Sequence, residues 1–290
     1  MRFQRDWLHR VLAVPYVPAL GPVHPEALSV ELFEDAVNAS ADGRCLPHDK
    51  DLRWAPSKDE RVLLESIVHW PEQTLIPSIT RRGTGAVRLY HYSTDSPDLR
   101  PLTETAAKLA AEHGVARAHL VWFEPPGTPQ QETSGVRIWL KTFAGSPTAP
   151  ETSIRNLESA PDAVQASFAA FARAQAADGF GFLHRRLLEG HRDGPLLVAL
   201  DGQQVVGAIG PMAITPDSQG NDRLLPQYFA VLPDHRGQGR GRALWNAAMR
   251  WGQRHGAWYQ LLQTEIGGAS DRLCRTDALQ DLGYVYRLRA

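Results

Sequence analysis

Residues 233–244 read Pro-Asp-His-Arg-Gly-Gln-Gly-Arg-Gly-Arg-Ala-Leu. The apolar segment Leu225–Leu232 precedes this stretch and predicts a strand, and Gly241–His255 has the apolar spacing of an amphipathic helix that ends at Gly256. Glycines between a strand and a helix allow a tight turn and expose successive backbone N–H groups. Together with a helix N-terminus, such N–H groups predict a binding site for an anion.

The order of strand, glycine loop and helix resembles the acyl-CoA-binding motif of the GNAT acetyltransferase superfamily. The resemblance extends over about Ser153 to Tyr286 and includes Leu282-Gly283-Tyr284, which is similar to the closing turn of that family. It implies a mixed α/β (α+β) fold, in which a mostly antiparallel sheet is flanked by helices. It also implies acetyl-CoA as co-substrate and no metal ion.

The resemblance further implies which residues bind the coenzyme. In that family the backbone N–H groups of the loop hold the pyrophosphate, and amides of the preceding strand pair with the pantetheine arm. The arginines of the loop add positive charge that suits phosphate groups. The residues implied to bind acetyl-CoA are Phe229, Ala230, Val231, Arg236, Gly237, Gln238, Gly239, Arg240, Gly241 and Arg242.

The family's mechanism is direct attack of a substrate amine on the thioester, which needs a base, donors for the thioester oxygen and an acid for the thiolate. Glu265, at the end of the predicted strand Ala257–Thr264, is the candidate base; a solvent-facing carboxylate is the alternative interpretation. Tyr228 and Tyr284 are candidates for donating a proton or positioning the substrate, and packing in the core is their alternative role.

Three positions depart from the family's pattern and leave the catalytic assignment open. Gln227 replaces a glutamate that is often found on the strand before the loop, Leu279 stands where a tyrosine is expected, and Arg272 stands where an asparagine is common. The leading hypothesis is N-acyltransfer from acetyl-CoA to the amine of a small molecule. The alternatives are a non-catalytic acyl-CoA-binding regulator and an N-acetyltransferase that acts on proteins or peptides.

A weak internal repeat suggests two GNAT-like domains in tandem. Both predicted helices end in His-Gly, at His113-Gly114 and at His255-Gly256, and both following strands lead to a glutamate, Glu124 or Glu265. The first copy has Ser96-Pro97-Asp98 where the second has its glycine loop. We therefore predict a degenerate N-terminal domain (1–146), a linker (147–152) and an acyl-CoA-binding domain (153–290).

Composition restricts the remaining possibilities. The 290 residues carry a formal net charge of −1, which does not favour a nucleic-acid partner, and the 2 cysteines exclude a disulfide-rich secreted scaffold. No apolar run reaches the length of a membrane-spanning helix. Prolines interrupt the apolar stretch that follows Arg10, which disfavours a secretory signal peptide. We expect a cytoplasmic bacterial protein, monomeric or homodimeric, with a small-molecule partner.

Hydrophobic periodicity predicts further elements along the chain. The helices are expected at Ala27–Val37, Glu60–Val68, Pro101–His113, Pro161–Ala177, Phe180–Gly190 and Ala269–Leu282. The additional strands are expected at Val87–Ser93, Ala118–Phe123, Val136–Phe143, Ser153–Leu157, Leu196–Leu200, Val205–Met212 and Tyr284–Leu288.

Overall fold

The computed structural model describes residues 14–127, 129, 134–145 and 153–290. Within these ranges the chain forms short 3₁₀ turns and six α-helices, which are α1 (Val30–Ala41), α2 (Leu99–Glu112), α3 (Asp162–Ala174), α4 (Phe180–Leu188), α5 (Arg240–Arg254) and α6 (Ala269–Thr276). The predicted linker, 147–152, lies outside the described residues.

The same ranges contain sixteen strands. In the first half they are β1 (Tyr16–Val17), β2 (Gly21–Pro22), β3 (Arg61–Val62), β4 (Val68–Trp70), β5 (Gln73–Thr80), β6 (Ala86–Ser93), β7 (Ala118–Glu124) and β8 (Gly135–Thr142). In the second half they are β9 (Ile154–Asn156), β10 (Leu197–Asp201), β11 (Gln204–Gly210), β12 (Ile214–Pro216), β13 (Asp222–Leu224), β14 (Tyr228–Val231), β15 (Tyr259–Glu265) and β16 (Gln280–Arg289).

The chain divides into two compact units. Unit 1 comprises the described residues of Met1–Lys141 with Asp217–Gln219 and Leu261–Ala290, and unit 2 comprises those of Thr142–Pro216 with Gly220–Gln260. The division predicted from the sequence differs at the C-terminus, because it assigned the whole of 153–290 to one domain. The last thirty residues are instead part of the same unit as the N-terminal half.

The sheet of unit 1 has the strand order β15–β8–β16–β7–β6–β5–β3, and β4 pairs with β5. The β6–β7 pair is parallel, whereas β5–β6, β7–β16 and β8–β16 are antiparallel. One face of this sheet packs on α2, where Leu102, Ala106 and Ala110 meet Leu89, Leu120 and Trp122 of the strands. These α2 residues are spaced four apart, which places them on one face of the helix.

β16, the last strand of the chain, lies between β7 and β8. Tyr284 is opposite Glu124 of β7 and Arg137 of β8. The pairing with β8 shifts register between Asp281 and Gly283, and Gly283 has a φ of +110°. A Cβ at Gly283 would lie 2.5 Å from the carbonyl oxygen of Glu124. Glycine is therefore required here for a bulge and a close approach of two strands.

Unit 2 contains the antiparallel sheet β9–β10–β11–β14. The hairpin of β10 and β11 turns at Gly202, whose φ is +58°. α3 packs on β11, and α5 packs on β10 and β11. β14 is the terminal strand of this sheet, whereas Tyr259 and Gln260 of β15 pair in parallel with β13. β14, which precedes α5, and β15, which follows it, thus belong to different sheets.

The predicted fold class is confirmed, since helices flank mixed and mostly antiparallel sheets. Three element predictions are wrong. Glu60–Val68 contains β3, a 3₁₀ turn and the start of β4, because Val62 pairs with Ser78 of β5. Ala269–Leu282 is helical only to Thr276, since Gly283 forms a strand bulge and no helix cap. The strand Leu225–Leu232 begins only at Tyr228.

Candidate functional site

The glycine loop before α5 lies in unit 2 and has left-handed backbone conformations at two positions. Gly237 has a φ of +75° and Gly239 a φ of +77°, a region that residues with a Cβ rarely adopt. Gly239 is the N-cap of α5, and no side chain caps it by a hydrogen bond. The predicted glycine turn between a strand and a helix is thus present. No side chain at its N-cap accepts a hydrogen bond from the backbone N–H groups at the start of the helix.

The backbone amides at the start of α5 suit an anionic ligand. The first hydrogen bond of the helix runs from the N–H of Ala243 to the carbonyl oxygen of Gly239, over 3.0 Å. The amides of Arg240 and Gly241 precede this bond, so no carbonyl of the helix accepts from them. A Cβ added at Gly237 or Gly239 would have no heavy atom within 4 Å. This open space and the positive end of the helix dipole favour a phosphate group.

Arg236 and Arg240 of the loop bind the protein itself. Arg236 Nε donates to the carbonyl oxygen of Val231 at 3.0 Å. Arg240 donates to the carbonyl oxygen of Leu200, and its guanidinium lies 3.6 Å from Asp201. These contacts attach the loop to β14 on one side and to the β10–β11 hairpin on the other. Arg242 is exposed on the first turn of α5.

β14 offers one edge to a ligand. Phe229, Ala230 and Val231 pair with Ile209, Ala208 and Gly207 of β11, respectively. In the part of the chain that the structure describes, no further strand of this sheet follows β14. A Cβ at Gly241 would lie 3.7 Å from the ring of Phe229 and 3.9 Å from Val231, so the loop and β14 are adjacent. An extended ligand with amide groups fits this arrangement.

Gln227, just before β14, is hydrogen-bonded to a residue that sequence reasoning missed. The Oε1 of Gln227 accepts from Nε2 of Gln260 at 2.7 Å, and its own Nε2 donates to the carbonyl oxygen of Leu225. Gln260 is fully buried, and its Oε1 has no hydrogen-bond partner among the described residues. A glutamine within the apolar run Tyr-Gln-Leu-Leu is the sequence signal that points to this position.

Tyr228 packs against the turn between α3 and α4. A Cβ at Gly179 would lie 2.2 Å from the ring of Tyr228, so this turn needs glycine, and the φ of Gly179 is +90°. The ring centroid of Phe180 lies 6.3 Å from that of Tyr228. The tyrosine is therefore held by the helical pair α3–α4 within unit 2.

The other two candidate catalytic residues, Glu265 and Tyr284, belong to unit 1. Glu265 is the last residue of β15 and is exposed. Tyr284 is fully buried in β16, and its hydroxyl donates to the carbonyl oxygen of Gly127 at 2.5 Å. Burial, followed by the nearby Asp281 carboxylate, raises the pKa of Tyr284, which disfavours its ionised form.

Asp271 organises the segment around Glu265 and was not predicted. Its buried carboxylate accepts from the indole Nε1 of Trp139 at 3.1 Å, from the backbone N–H of Gly267 at 3.0 Å and from Arg275 at 2.9 Å. Trp139 Nε1 also donates to Thr264 Oγ1 at 3.0 Å. The residues on both sides of Glu265 are thus fixed by one hydrogen-bonded network. A fully buried carboxylate needs such partners.

In the first half of the chain, aromatic rings occupy the place where β6 and β7 stop pairing. The parallel register ends at His91 and Trp122. Just beyond it, the rings of Tyr92 and Phe123 stack with centroids 4.7 Å apart, and Tyr16 lies 5.1 Å from Phe123. These three rings therefore pack together beside the end of the parallel pairing.

Other functional groups find little support. Burial raises the pKa of the Cys274 thiol to about 12, so this sulfur is not a thiolate nucleophile at neutral pH. Within the described residues, no group of three or more His, Cys, Asp or Glu side chains is placed to hold a metal ion. In the same residues, no helix is long and apolar enough to span a membrane.

Comparison with known proteins identifies the segment that contains this loop. Residues 158–271 match the model of the acetyltransferase (GNAT) family. Among curated proteins, none matches the sequence of this chain.

Solved structures of similar fold cover most of the chain. A GCN5-related N-acetyltransferase from Sphaerobacter thermophilus has 16% identity over 78% of this chain and 82% of its own, with a TM-score of 0.45. A tandem GNAT protein from the clavulanic acid biosynthesis pathway has 14% identity over 91% and 96%, with a TM-score of 0.47. A GNAT-family acetyltransferase from Colwellia psychrerythraea has 10% identity over 90% and 97%, with a TM-score of 0.48.

Proposed function

Because residues 158–271 are a domain of the GNAT acetyltransferase family, we propose that this protein transfers an acetyl group from acetyl-CoA to an amine of a small molecule. The uncapped N-terminus of α5 at Gly239 carries this proposal. Its free amides bind the pyrophosphate, and the open edge of β14 binds the pantetheine arm, through Phe229, Ala230 and Val231. Gly237, Gln238, Gly239, Arg240 and Gly241 form the phosphate loop, to which Arg236 and Arg242 add charge.

The proposed reaction is a direct transfer. The amine nitrogen attacks the thioester carbon, the carbon–sulfur bond breaks, and the thiolate leaves and takes up a proton. The attacking ammonium must first lose a proton, for which we propose Glu265 as the base. Glu265 is the last residue of β15, and a carboxylate can act as a base, which the amide of Gln227 cannot.

Coenzyme release separates this function from the alternative of a non-catalytic acyl-CoA-binding regulator, which Gln227 and Leu279 favour. We expect at least one small-molecule amine in a broad panel to release coenzyme A from acetyl-CoA in the presence of the protein. Isothermal titration calorimetry with the same protein measures acetyl-CoA binding. Binding without turnover on any amine would support the regulator, whereas turnover on peptide amines alone would support a protein or peptide N-acetyltransferase.

We expect one molecule of acetyl-CoA per chain. The N-terminal half has Asp98 and no glycine at the start of α2, and Asp98 would repel a pyrophosphate. The rings of Tyr92 and Phe123 stack beside the end of the parallel pairing of β6 and β7. Calorimetry should therefore give a stoichiometry of one. Two equivalent sites would contradict our interpretation of the N-terminal half as degenerate.

A further inference from the structure

A row of cationic side chains lies on one face of the unit 1 sheet, where β6, β7 and β16 are neighbours. Arg88 is opposite His119 in the parallel register, and His119 is opposite Arg289 in the antiparallel one. Alternate residues of a strand point to the same face, so Arg287 lies on that face too, and Arg117, which directly precedes β7, is two residues from His119. We call these five residues the cationic face.

The opposite face of the same strands belongs to the core. There Leu89, Leu120 and Tyr286 pack with the residues of α2. The cationic face is consequently the one that points away from α2. Arg117, Arg287 and Arg289 are exposed on it, whereas Arg88 and His119 are partly buried.

Among the residues that the structure describes, most of this positive charge has no acidic partner. Arg88 forms a salt bridge with Glu60, whose carboxylate also accepts from Ser78 Oγ at 2.6 Å and from the Tyr90 hydroxyl at 2.7 Å. That carboxylate is therefore fully engaged. In the described parts of the chain, the guanidinium groups of Arg117, Arg287 and Arg289 have no ion-pair partner.

The pKa of His119 reflects its burial and the positive charge around it. Its Nδ1 is buried and has no hydrogen-bond partner among the residues that the structure describes. Burial lowers the pKa of His119, and the surrounding guanidinium groups, of which Arg287 has the largest effect, lower it further. The imidazole is therefore neutral at pH 7, and its position among cations makes it a sensitive probe for an arriving anion.

Such a row costs stability unless it binds something. Arg287 and Arg289 lie two residues apart on one face of β16, and positive charges held this close repel each other. The protein carries 32 acidic and 31 basic residues, so an overall basic composition does not account for the row. From Arg88 to Arg289 the row crosses two strand spacings, about 10 Å. Guanidinium groups bind phosphate oxygens in a bidentate manner.

We propose that the cationic face binds a phosphorylated small molecule that carries at least two anionic groups. Arg287 and Arg289 supply the main contacts, since both are exposed and lie two residues apart on β16. Arg117, just before β7, and Arg88 of β6 lie at the boundary of the site. This site lies in unit 1, does not use the glycine loop of unit 2, and is independent of the acetyl transfer proposed above.

Pyrophosphate is the probe for this site. In low-salt calorimetry with the full chain carrying Gly239→Val, which removes the pyrophosphate contacts proposed for the glycine loop, we expect pyrophosphate to bind and inorganic phosphate to bind more weakly. The double variant Arg287→Gln/Arg289→Gln should weaken pyrophosphate binding at least about tenfold, because two charge-assisted contacts are lost. The matched control is Arg100→Gln/Lys108→Gln, which removes the same charge from exposed positions of α2 and should bind as the wild type does.

A second measurement localises the ligand. The NMR signals of the His119 ring are assigned with the variant His119→Gln. They should shift when pyrophosphate is added to the wild type and to Gly239→Val, whose glycine loop is altered. An absence of binding, an equal loss in the α2 control, or His119 signals that do not move would overturn the proposal. Binding of a DNA duplex in clear preference to pyrophosphate would also overturn it.

Discussion

Replacing Glu265 with glutamine is expected to lower kcat by about 10²- to 10⁴-fold, the usual contribution of a general base. The amide is isosteric with the carboxylate but does not take up the proton of the substrate ammonium. The Kd for acetyl-CoA should stay close to that of the wild type, since the proposed coenzyme contacts are in the glycine loop and in β14. Steady-state kinetics and calorimetry on the same preparation measure both quantities.

The control for this variant is Glu112→Gln, which changes another exposed carboxylate of unit 1, at the end of α2. Its kcat should be unaltered. If Glu265→Gln keeps kcat within about threefold of the wild type, far short of a general-base effect, Glu265 is a surface carboxylate. The proton would then leave through Tyr228, Tyr284 or water, and both tyrosines become the next positions to replace by phenylalanine.

Replacing Gly239 with valine is expected to abolish the stabilisation of the protein by acetyl-CoA. For the wild type, a hundredfold excess of ligand over Kd should raise the free energy of unfolding by about 2.7 kcal/mol. Valine does not readily adopt the φ of +77° at this N-cap, and its side chain would occupy the open space over the helix end. Thermal unfolding with and without acetyl-CoA measures the effect.

Backbone strain alone must be separated from the loss of the ligand site. Gly190 has a φ of +85° and, like Gly239, no heavy atom within 4 Å of an added Cβ. Gly190→Val should therefore lose a similar amount of intrinsic stability but keep the full stabilisation by acetyl-CoA. Gly241→Val adds a side chain beside Phe229 at a φ that any residue adopts, and it too should lose the ligand effect. An unchanged shift in both loop variants would place the coenzyme elsewhere.

The sequence predicts the local geometry of the glycine loop because that geometry depends on neighbouring residues. Glycines at 237 and 239 have no equivalent substitute at positive φ, and the helix that follows has a clear apolar period. The same local rules misassigned Gly283, since a glycine that permits a bulge has the same sequence signature as one that ends a helix. Only the partner strand distinguishes the two.

The sequence does not predict the hydrogen-bond partners of Gln260 and Asp271, for a related reason. Their hydrogen-bond partners include Gln227, Thr264 and Trp139, and the indole of Trp139 is far from Asp271 in the chain. A buried polar residue signals that it has a partner, but periodicity does not reveal which one. Long-range pairing decides these positions, and it also decides that β16 belongs to unit 1.

The position of β16 between β7 and β8 has a consequence for how the protein is made. Residues 124 and 284 must pair to complete the unit 1 sheet, so this sheet stays open until the ribosome has synthesised β16. Pairing over such a separation slows folding. Until it occurs, β7 and β8 each expose an unpaired edge that attracts other strands. A chain that ends before Gln280 keeps those edges permanently, which makes premature termination a route to aggregation and not merely to a shortened protein.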